Sequence, residues 1–334
     1  SFMGHADVDV SIWLKSKPRF ADLFNAIIFG KKQVISPDEL KELPPVSSTS
    51  LRDKKGKSTN IKCYRDIIMK WQSNAIFVLL ASELQDNIHY AMPVKTMLYD
   101  VLDYTEQIRS MWKLTKNDLI VAKENRINTS NISGAEFISR FRKNDRLIPI
   151  ITLTFYYGEK EWDGALSLYD MFKFNGTEIE NTILQKYIPD YHINLVDAGK
   201  IDNLECFQSD LQVILGMLKY RNNKNALQKY ITEHSSYFSC IDTETYQAIR
   251  AFLHSEQILK KYTHNNKEVQ IDMCKALDDL YNDGITQGIK QGIEEGISRT
   301  KHETAHEMYN IGISVETIAA VLKENKLTIS QWLS

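Results

Sequence analysis

Two carboxylates and one amide, Asp66, Glu83 and Gln85, are the side chains whose types and spacing first suggest a chemical site. Glu83 and Gln85 follow the apolar run AIFVLLA. Because side chains of a strand alternate between its two faces, Glu83 and Gln85 share one face and Leu84 takes the other. Polar groups at the end of a buried strand are costly unless something requires them. The pattern therefore raises the question of what these groups bind.

Pairing of two predicted strands brings the acids together. The segments IKCYRDIIMKW and AIFVLLASELQ read as a hairpin with QSN as its turn. If the turn centres on Ser73 and Asn74, antiparallel pairing puts Asp66 near Ala81 to Glu83. Paired carboxylates at a strand edge suit Mg²⁺ or Mn²⁺, which such sites hold with water and substrate phosphate. Alternatively, Asp66 is a solvated strand residue, and Glu83 and Gln85 cap the next helix or face water.

The periodicity of apolar residues predicts an α/β fold around this hairpin. Helices are expected in RFADLFNAIIFG (19–30), MPVKTMLYDVLDYTEQIRSMWK (92–113) and SGAEFISRFRKN (133–144), and a strand covered on both faces in RLIPIITLTFYYG (146–158). The stretch ELPPVSSTSLRDKKGKST reads as a loop with at most one short strand. Beyond Trp162 the pattern is mainly helical, with one further strand in YHINLVDA.

Composition limits the class of protein. The chain has 334 residues, 43% of them hydrophobic, and a net charge of -2 from 41 basic and 43 acidic residues. Such a chain folds with a core, and no global positive field recruits nucleic acid. The four cysteines, Cys63, Cys206, Cys240 and Cys274, are far apart, which disfavours a disulfide framework or zinc site and favours the cytoplasm. No apolar run approaches the length of a membrane helix.

Several segments together resemble one protein family. They are RFADLFNAIIFGKKQVISPDELKEL, YRDIIMKW, ELQDNIHYAMPVKTMLYD, RLIPIITLTFYYGEKEWDGALSLYDM and the Gly-Ile-rich helical tail. The set is similar to the Rpn family, the recombination-promoting nucleases also called transposase-31-like, within the PD-(D/E)XK nuclease superfamily. The resemblance implies a restriction-endonuclease-like αβββαβ core, a mixed sheet flanked by helices, whose first strand is expected somewhere between Lys41 and Leu51. It also implies a role in recombination, mobile elements or phage defence.

The resemblance assigns roles to the candidate residues. Asp66 and Glu83 look like the metal-binding acids, and Gln85 stands where the superfamily more often has lysine. An amide orients water by hydrogen bonding but cannot supply the charge of an ammonium group. An N-terminal acid often completes such sites; Asp7 is the closest match, with Asp9 and Asp22 as competitors. These roles imply a Mg-dependent DNA endonuclease; the alternative is a weakly active or inactive binding module on the same fold.

The resemblance and the periodicity together suggest three regions. Residues 4–165 form the nuclease-like core, 166–265 a mainly helical extension packed on it, and 266–334 a long helix with a helix-turn-helix-like tail. In that long helix GITQGIKQGIEEGI repeats Gly-Ile every four residues from Gly284 to Ile297. Glycines aligned on one ridge let a second backbone approach closely, which favours a homodimer, although a weakly ordered tract without contacts is the alternative.

Other motifs admit a functional and an ordinary interpretation. HETAH (302–306) matches the zinc-protease pattern, but it lies on a polar helix without a third ligand, so a surface helix with His302 facing solvent is expected. His89 is either an outer partner of the acids or an ordinary half-buried histidine. Tyr156 and Trp162 could stack on bases but by default pack in the core. The basic segment LRDKKGKSTNIK could grip the DNA backbone or remain a solvated loop.

Overall fold

A computed structural model describes residues 5–44, 46–52, 58–73, 76–124, 132–254 and 271–333. The described residues up to His254, together with Ile271, form one compact unit, and those from Asp272 to Leu333 form a second. The first unit contains the predicted sheet and is described first.

Seven strands and ten helices make up the larger unit within the described ranges. The strands are β1 (Leu40–Glu42), β2 (Val46–Arg52), β3 (Ser58–Tyr64), β4 (Ile67–Ser73), β5 (Ile76–Gln85), β6 (Ile150–Tyr156) and β7 (Asn194–Asp197). The helices are α1 (His5–Leu14), α2 (Lys17–Phe24), α3 (Met92–Glu124), α4 (Gly134–Ser139), α5 (Leu168–Met171), α6 (Glu178–Gln185), α7 (Leu211–Leu218), α8 (Lys224–Glu233), α9 (Ser235–Phe238) and α10 (Thr243–Phe252).

The sheet is mixed and five-stranded, in the order β1-β4-β5-β6-β7. The pairs β1–β4 and β4–β5 are antiparallel, whereas β5, β6 and β7 run parallel. Helix α3 connects β5 to β6, as a parallel pair requires a long crossover. The predicted α/β class is confirmed, and the order of helix, three sheet strands, helix and strand follows the expected sequence of elements.

One predicted loop is instead a hairpin. Strands β2 and β3 pair antiparallel as a separate two-stranded sheet, with Val46 opposite Tyr64 and Arg52 opposite Ser58. The Pro, Ser and Lys content of this stretch indicated a loop, but cross-strand pairing overrode these local preferences. Residues 53–57, which hold three of the five basic residues of the predicted basic segment, lie outside the described residues.

The predicted first strand of the hairpin is interrupted. The chain leaves β3 after Tyr64 and enters β4 at Ile67, so Arg65 and Asp66 lie between two strands. β4 then pairs antiparallel with β5 as predicted, but in a shifted register: Ser73, expected in the turn, is the last residue of β4 and lies opposite Ile76, and Ile67 lies opposite Ser82. Arg65 and Asp66 therefore lie at the end of the sheet but belong to neither of the two strands.

Helix α3 begins where the sequence predicted, with Pro93 in its first turn, but extends to Glu124. Its buried positions include apolar Leu102 and Trp112 as well as polar Thr96, Asp100 and Asp103. The three polar positions recur at helical spacing and therefore form one stripe. A face of α3 that approaches the sheet is thus polar, and the site described below is built on it.

Helix α1, which precedes the predicted elements, is held in place by α10. The Trp13 ring packs edge-on against Phe252 with ring centroids 5.6 Å apart, and its indole N–H donates to Thr245 Oγ1 at 3.2 Å. Trp13, Phe252 and Thr245 are all buried. This packing fixes the position of the acids that α1 carries.

The smaller unit contains α11 (Met273–Asn310), α12 (Val315–Leu322) and α13 (Lys326–Leu333). Its core consists of Ala305, Ile318, Ala319 and Ile329. The two short helices around a turn have the predicted helix-turn-helix-like shape. His302 is half-buried, with its ring centroid 5.6 Å from that of Trp332, so the expectation that it faces solvent was wrong. Among all described helices none is long and apolar enough to span a membrane.

Candidate active site

Asp66 and Glu83 meet at one end of the β4–β5 hairpin. Ile67 pairs with Ser82, so Asp66, one position earlier, lies beside Glu83. The Asp66 carboxylate accepts a hydrogen bond from the backbone N–H of Leu84, 2.7 Å from N to Oδ2. That bond anchors Asp66 to the strand that carries Glu83. The two acids therefore lie close together where the sequence predicted.

Glu83 is buried, with only 1% of its surface exposed, and its two carboxylate oxygens differ in environment. Oε1 lies 3.5 Å from Nη1 of Arg65, and Oε2 lies 3.4 Å from the ammonium nitrogen of Lys95. Oε2 has no hydrogen-bond partner of good geometry among the described residues, so the Lys95 contact is an ion pair only. Thr154, directly opposite Glu83 on β6, carries a second such buried oxygen, Oγ1.

Burial governs the ionisation of both acids. It raises the pKa of Glu83 to about 8, and the neighbouring Asp66 charge raises it further, against the opposing effects of Lys95 and Arg65. Burial likewise raises the pKa of Asp66 to about 6, opposed by the Leu84 N–H and Lys95 and reinforced by Asp7. A bound cation would lower both pKa values and favour the ionised carboxylates.

We expect the metal-free protein to lose stability as pH rises. A carboxyl group whose pKa is higher in the folded than in the unfolded chain stabilises the fold at low pH, and this contribution is lost as pH approaches the folded value of about 8. Glu83→Gln removes the titration. At pH 8 in EDTA the variant should exceed wild type in free energy of unfolding by about 1–3 kcal/mol, with no difference near pH 4.5.

Urea unfolding measured between these pH values tests this expectation. Asp202→Asn is the matched control, because the Asp202 carboxylate is 96% exposed. If the free energy of unfolding changes with pH in the same way for wild type and Glu83→Gln, burial does not raise the pKa of Glu83.

Behind Glu83 lies a buried network centred on Arg65, which the sequence did not reveal. Its guanidinium donates to Asp103 Oδ2 at 2.9 Å, to Asp100 Oδ1 at 2.5 Å and to Thr152 Oγ1 at 3.1 Å. Tyr191 donates to the other oxygen of Asp100 at 2.5 Å. Burial is the largest single effect on the pKa of Arg65 and lowers it. The surrounding acids, Glu83 first, together outweigh burial, so the pKa is raised. The network ties Glu83 to α3, β6 and the segment before β7.

Lys95 is the second residue that sequence reasoning missed. It lies in the first turn of α3, where the helix dipole disfavours a cation by about 0.3–1 kcal/mol. Its ion pair with Glu83 offsets that cost. The signal available in the sequence was a lysine in the first turn of the helix that follows the Glu83 strand, together with the polar stripe Thr96, Asp100 and Asp103.

Among the N-terminal acids, the structure places Asp7 next to the pair. The Tyr157 hydroxyl donates to Asp7 Oδ1 at 2.6 Å, and the Asp7 charge raises the pKa of Asp66. Ser11, one turn further along α1, donates to the backbone oxygen of Asp66 at 3.3 Å. Asp9 is two residues from Asp7, about 200° around the helix, and so projects elsewhere.

The third competitor, Asp22, belongs to a different part of the fold. Its buried carboxylate accepts hydrogen bonds from the backbone N–H groups of Gln208 and Ser209 at 2.9 Å and 2.7 Å and from the Ser209 hydroxyl at 2.5 Å. Asp22 therefore fixes the segment before α7. The candidate role of Asp22 in the site was wrong, because these bonds already use both of its oxygens.

Gln85 and His89 do not contact the acids by hydrogen bonds in this structure. The Gln85 amide donates to the carbonyl oxygen of Leu84 at 2.5 Å, although its position on β5 puts it on the Glu83 face. Most of the His89 side chain is exposed. Burial of the remaining part of its ring, and then the positive charge of Lys95, lower its pKa. The amide of Gln85 would have to rotate away from Leu84 to reach a water molecule near the acids.

The residues present fit a hard divalent cation bound with few protein ligands. In the described part of the chain no three or more His, Cys, Asp or Glu side chains group closely enough to form a full cage. The site offers two adjacent carboxylates, and one oxygen of Glu83, Oε2, makes an ion pair with Lys95 but no hydrogen bond. Mg²⁺ is commonly held by one or two carboxylates, with waters completing its shell. Burial raises the pKa values of both acids, and a bound cation would lower them.

Comparison with known proteins identifies a family for part of the chain. The family model Transposase_31, described as "Putative transposase, YhgA-like", matches residues 135–248. This segment is transposase-31-like. The predicted resemblance is thus confirmed over about a third of the chain. No curated protein and no solved structure matches.

The transposase-31-like segment covers one side of the site only. It contains β6, β7 and α4 to α9, and with them Thr152 and Tyr191 of the Arg65 network. Asp66, Glu83 and Gln85 precede it. The family match therefore supports the framework that holds the acids, and the acids themselves are argued from their geometry.

Proposed function

We propose that this transposase-31-like chain is a metal-dependent DNA endonuclease of the PD-(D/E)XK kind, which hydrolyses phosphodiester bonds. The observation that carries the proposal is the pair of Asp66 and buried Glu83, with a Glu83 oxygen that accepts no hydrogen bond and both carboxyl pKa values raised by burial. Structural acids are normally satisfied by partners. A buried acid pair that is not fully satisfied is typical of a site that binds a cation or substrate.

In this proposal Asp66 and Glu83 hold Mg²⁺ or Mn²⁺. The bound ion supplies an activated water and neutralises charge on the phosphate. Arg65 orients Glu83 through Oε1, and Oε2, which has Lys95 at 3.4 Å but no hydrogen-bond partner, is the oxygen that would contact the cation. Asp7, fixed by Tyr157, is the third acid beside the pair.

Lys95 takes over the electrostatic role that a strand lysine has in most of the superfamily. Its ammonium already lies at the Glu83 carboxylate, and at 16% exposure it is largely shielded from water. A cation in such surroundings stabilises negative charge that develops on a phosphate more strongly than it would in bulk water. Gln85, on the same strand face as Glu83, orients the attacking water.

Nicking of supercoiled plasmid tests the proposal. Wild type should nick in Mg²⁺ or Mn²⁺ and not in EDTA, and Asp66→Ala and Glu83→Ala should abolish the activity. Asp202→Ala, which removes an exposed carboxylate, is the control. Equal residual cleavage by wild type and both acid variants would identify a contaminant and refute the proposal.

The Gln85 geometry favours a second candidate of another class. Because its amide is hydrogen-bonded to Leu84 rather than to either acid, the fold could bind nucleic acid or a protein with little cleavage. In that case wild type would retard DNA in a gel without nicking it. DNA contacts in either candidate are mainly to the phosphate backbone, and the cellular roles in recombination, mobile elements or phage defence, in the cytoplasm, belong to the same proposal.

We further propose that the chain is a homodimer through α11. Ile289, Ile293 and Ile297 are each more than half exposed, and a Cβ added at Gly288, Gly292 or Gly296 would meet nothing within 4 Å. Light scattering should give a dimer mass for wild type and a monomer mass for the double variant Ile289→Asp, Ile293→Asp. Lys290→Asp on the same helix should remain dimeric. A monomeric wild type at micromolar concentration would contradict the proposal.

A further inference from the structure

A pocket opens directly beyond the end of β5, the strand that carries Glu83 and Gln85. It has a volume of about 390 Å³ and is lined by Asp86, Asn87, Ile88, Tyr90, Tyr156, Glu159, Lys160 and His254. Ligand pockets in proteins start at about 300 Å³. Asp86 follows Gln85 immediately, and a Cβ at Gly158 would clash with the Asp86 carbonyl, so glycine lets the ends of β5 and β6 approach closely here.

The lining of the pocket includes an exposed aromatic ring. Tyr90 is 64% exposed, and the nearby Asp163 raises the pKa of its hydroxyl. An exposed ring has a face available for stacking against a planar ligand. Stacking of nucleobases on such rings is a general mode of binding unpaired nucleic acid. By contrast, Tyr156 and Trp162 pack on each other with ring centroids 5.1 Å apart, as expected for core residues.

The lining also includes His254 and Asp86. Nε2 of His254 lies 3.3 Å from Asp86 Oδ1. The backbone of His254 has φ +49°, in the left-handed region that glycine occupies most easily. A left-handed residue directly after the C-cap is a common way to end a helix, and here it accompanies a His254 ring that lies on the Asp86 carboxylate. His254, Lys160 and Asn87 supply hydrogen-bond donors around the Tyr90 ring.

We propose that this pocket is a nucleotide subsite, which takes one unpaired deoxynucleotide of the strand to be cut. The base stacks on Tyr90, and its sugar and phosphate contact His254, Lys160 and Asn87. The inference rests on the proposed nuclease function for the identity of the ligand. It explains why a polar, aromatic pocket opens beyond the strand that carries Glu83 and predicts a preference for frayed or single-stranded DNA over intact duplex.

Binding of a fluorescein-labelled oligodeoxythymidylate in EDTA, followed by anisotropy, tests the subsite without cleavage. Tyr90→Ala should weaken binding about tenfold or more, and Tyr90→Phe should keep most of the affinity. His254→Asn, which tolerates the same backbone conformation, should weaken binding several-fold. Tyr187→Ala, at a tyrosine 83% exposed elsewhere, should have no effect. Circular dichroism checks that each variant is folded.

Failure of the subsite and failure of the nuclease proposal have different signatures. If Tyr90→Ala binds the oligonucleotide as wild type does, or if wild type does not bind it, the subsite is wrong, whatever the plasmid assay shows. If binding depends on Tyr90 but Asp66→Ala leaves nicking unchanged, the subsite stands and the hydrolytic proposal falls. If wild type cleaves DNA, Tyr90→Ala should also raise the KM for single-stranded substrate with little change in kcat.

Discussion

Arg65→Met should cost about 3–5 kcal/mol of the free energy of unfolding, because it leaves several buried carboxylates without their shared cation. Arg65 and Glu83 have side chains only 1% exposed, and Asp103 only 6%. Removal of one partner from a buried ionic network is far more harmful than removal of an exposed pair. Urea unfolding at pH 7 measures the difference.

The control for this prediction lies on the same helix as two of the Arg65 partners. Arg109 is 41% exposed and pairs with Glu106 at 3.9 Å, so Arg109→Met should cost less than about 1 kcal/mol. Adding Asp103→Asn to Arg65→Met should recover part of the loss, because one uncompensated carboxylate disappears. A loss below about 1 kcal/mol for Arg65→Met would mean that the network does not support the fold.

Lys95→Ala should lower kcat for plasmid cleavage about 10²–10³-fold, the usual effect of removing one preorganised electrostatic group. The fold should change little. Removing a cation from the first turn of α3 relieves an unfavourable helix-dipole interaction, and this offsets the lost ion pair with Glu83. Single-turnover cleavage at saturating Mg²⁺ isolates the chemical step.

A pH profile separates this role from simple packing. Lys95 lowers the pKa of Glu83, which burial raises to about 8, so its removal should move the rising limb of the pH–rate curve to higher pH. Lys95→Arg keeps the positive charge, so its pH–rate curve should stay close to that of wild type and part of the rate should remain. Lys95→Met should behave like Lys95→Ala. If Lys95→Ala cleaves like wild type between pH 7 and 9, Lys95 has no part in the chemistry.

The part of the site that local patterns determine was predictable from the sequence. Strand alternation and a turn near Ser73 predict which residue of β4 faces which residue of β5 to within two positions: a turn centred on Ser73 and Asn74 would pair Ile67 with Leu80, and the structure pairs Ile67 with Ser82. Asp66 and Glu83 could therefore be brought together by counting along two strands. The apolar run of β6 likewise predicted a strand with two covered faces.

The partners of Glu83 could not be found in the same way. Arg65 reaches Asp100 and Asp103 across sequence separations of 35 and 38 residues, and Tyr191 reaches Asp100 across 91. Acidic residues on an amphipathic helix are usually solvated, and only the tertiary packing of α3 on the sheet buries these two. Helix α1 was not predicted, although Asp7 in it was named as a candidate, and the β2–β3 hairpin was missed because its composition resembles that of a loop.

The break between β3 and β4 leaves two consecutive residues, Arg65 and Asp66, with different contacts. Arg65 donates to Asp100 and Thr152 from distant stretches of the chain, while Asp66 accepts a hydrogen bond from the backbone N–H of Leu84, beside Glu83. A nascent polypeptide that does not yet contain Thr152 and Tyr191 lacks two members of the network that holds Arg65 and, through it, Glu83. In the proposed nuclease the cation site would therefore be incomplete until β6 and the segment before β7 have been synthesised.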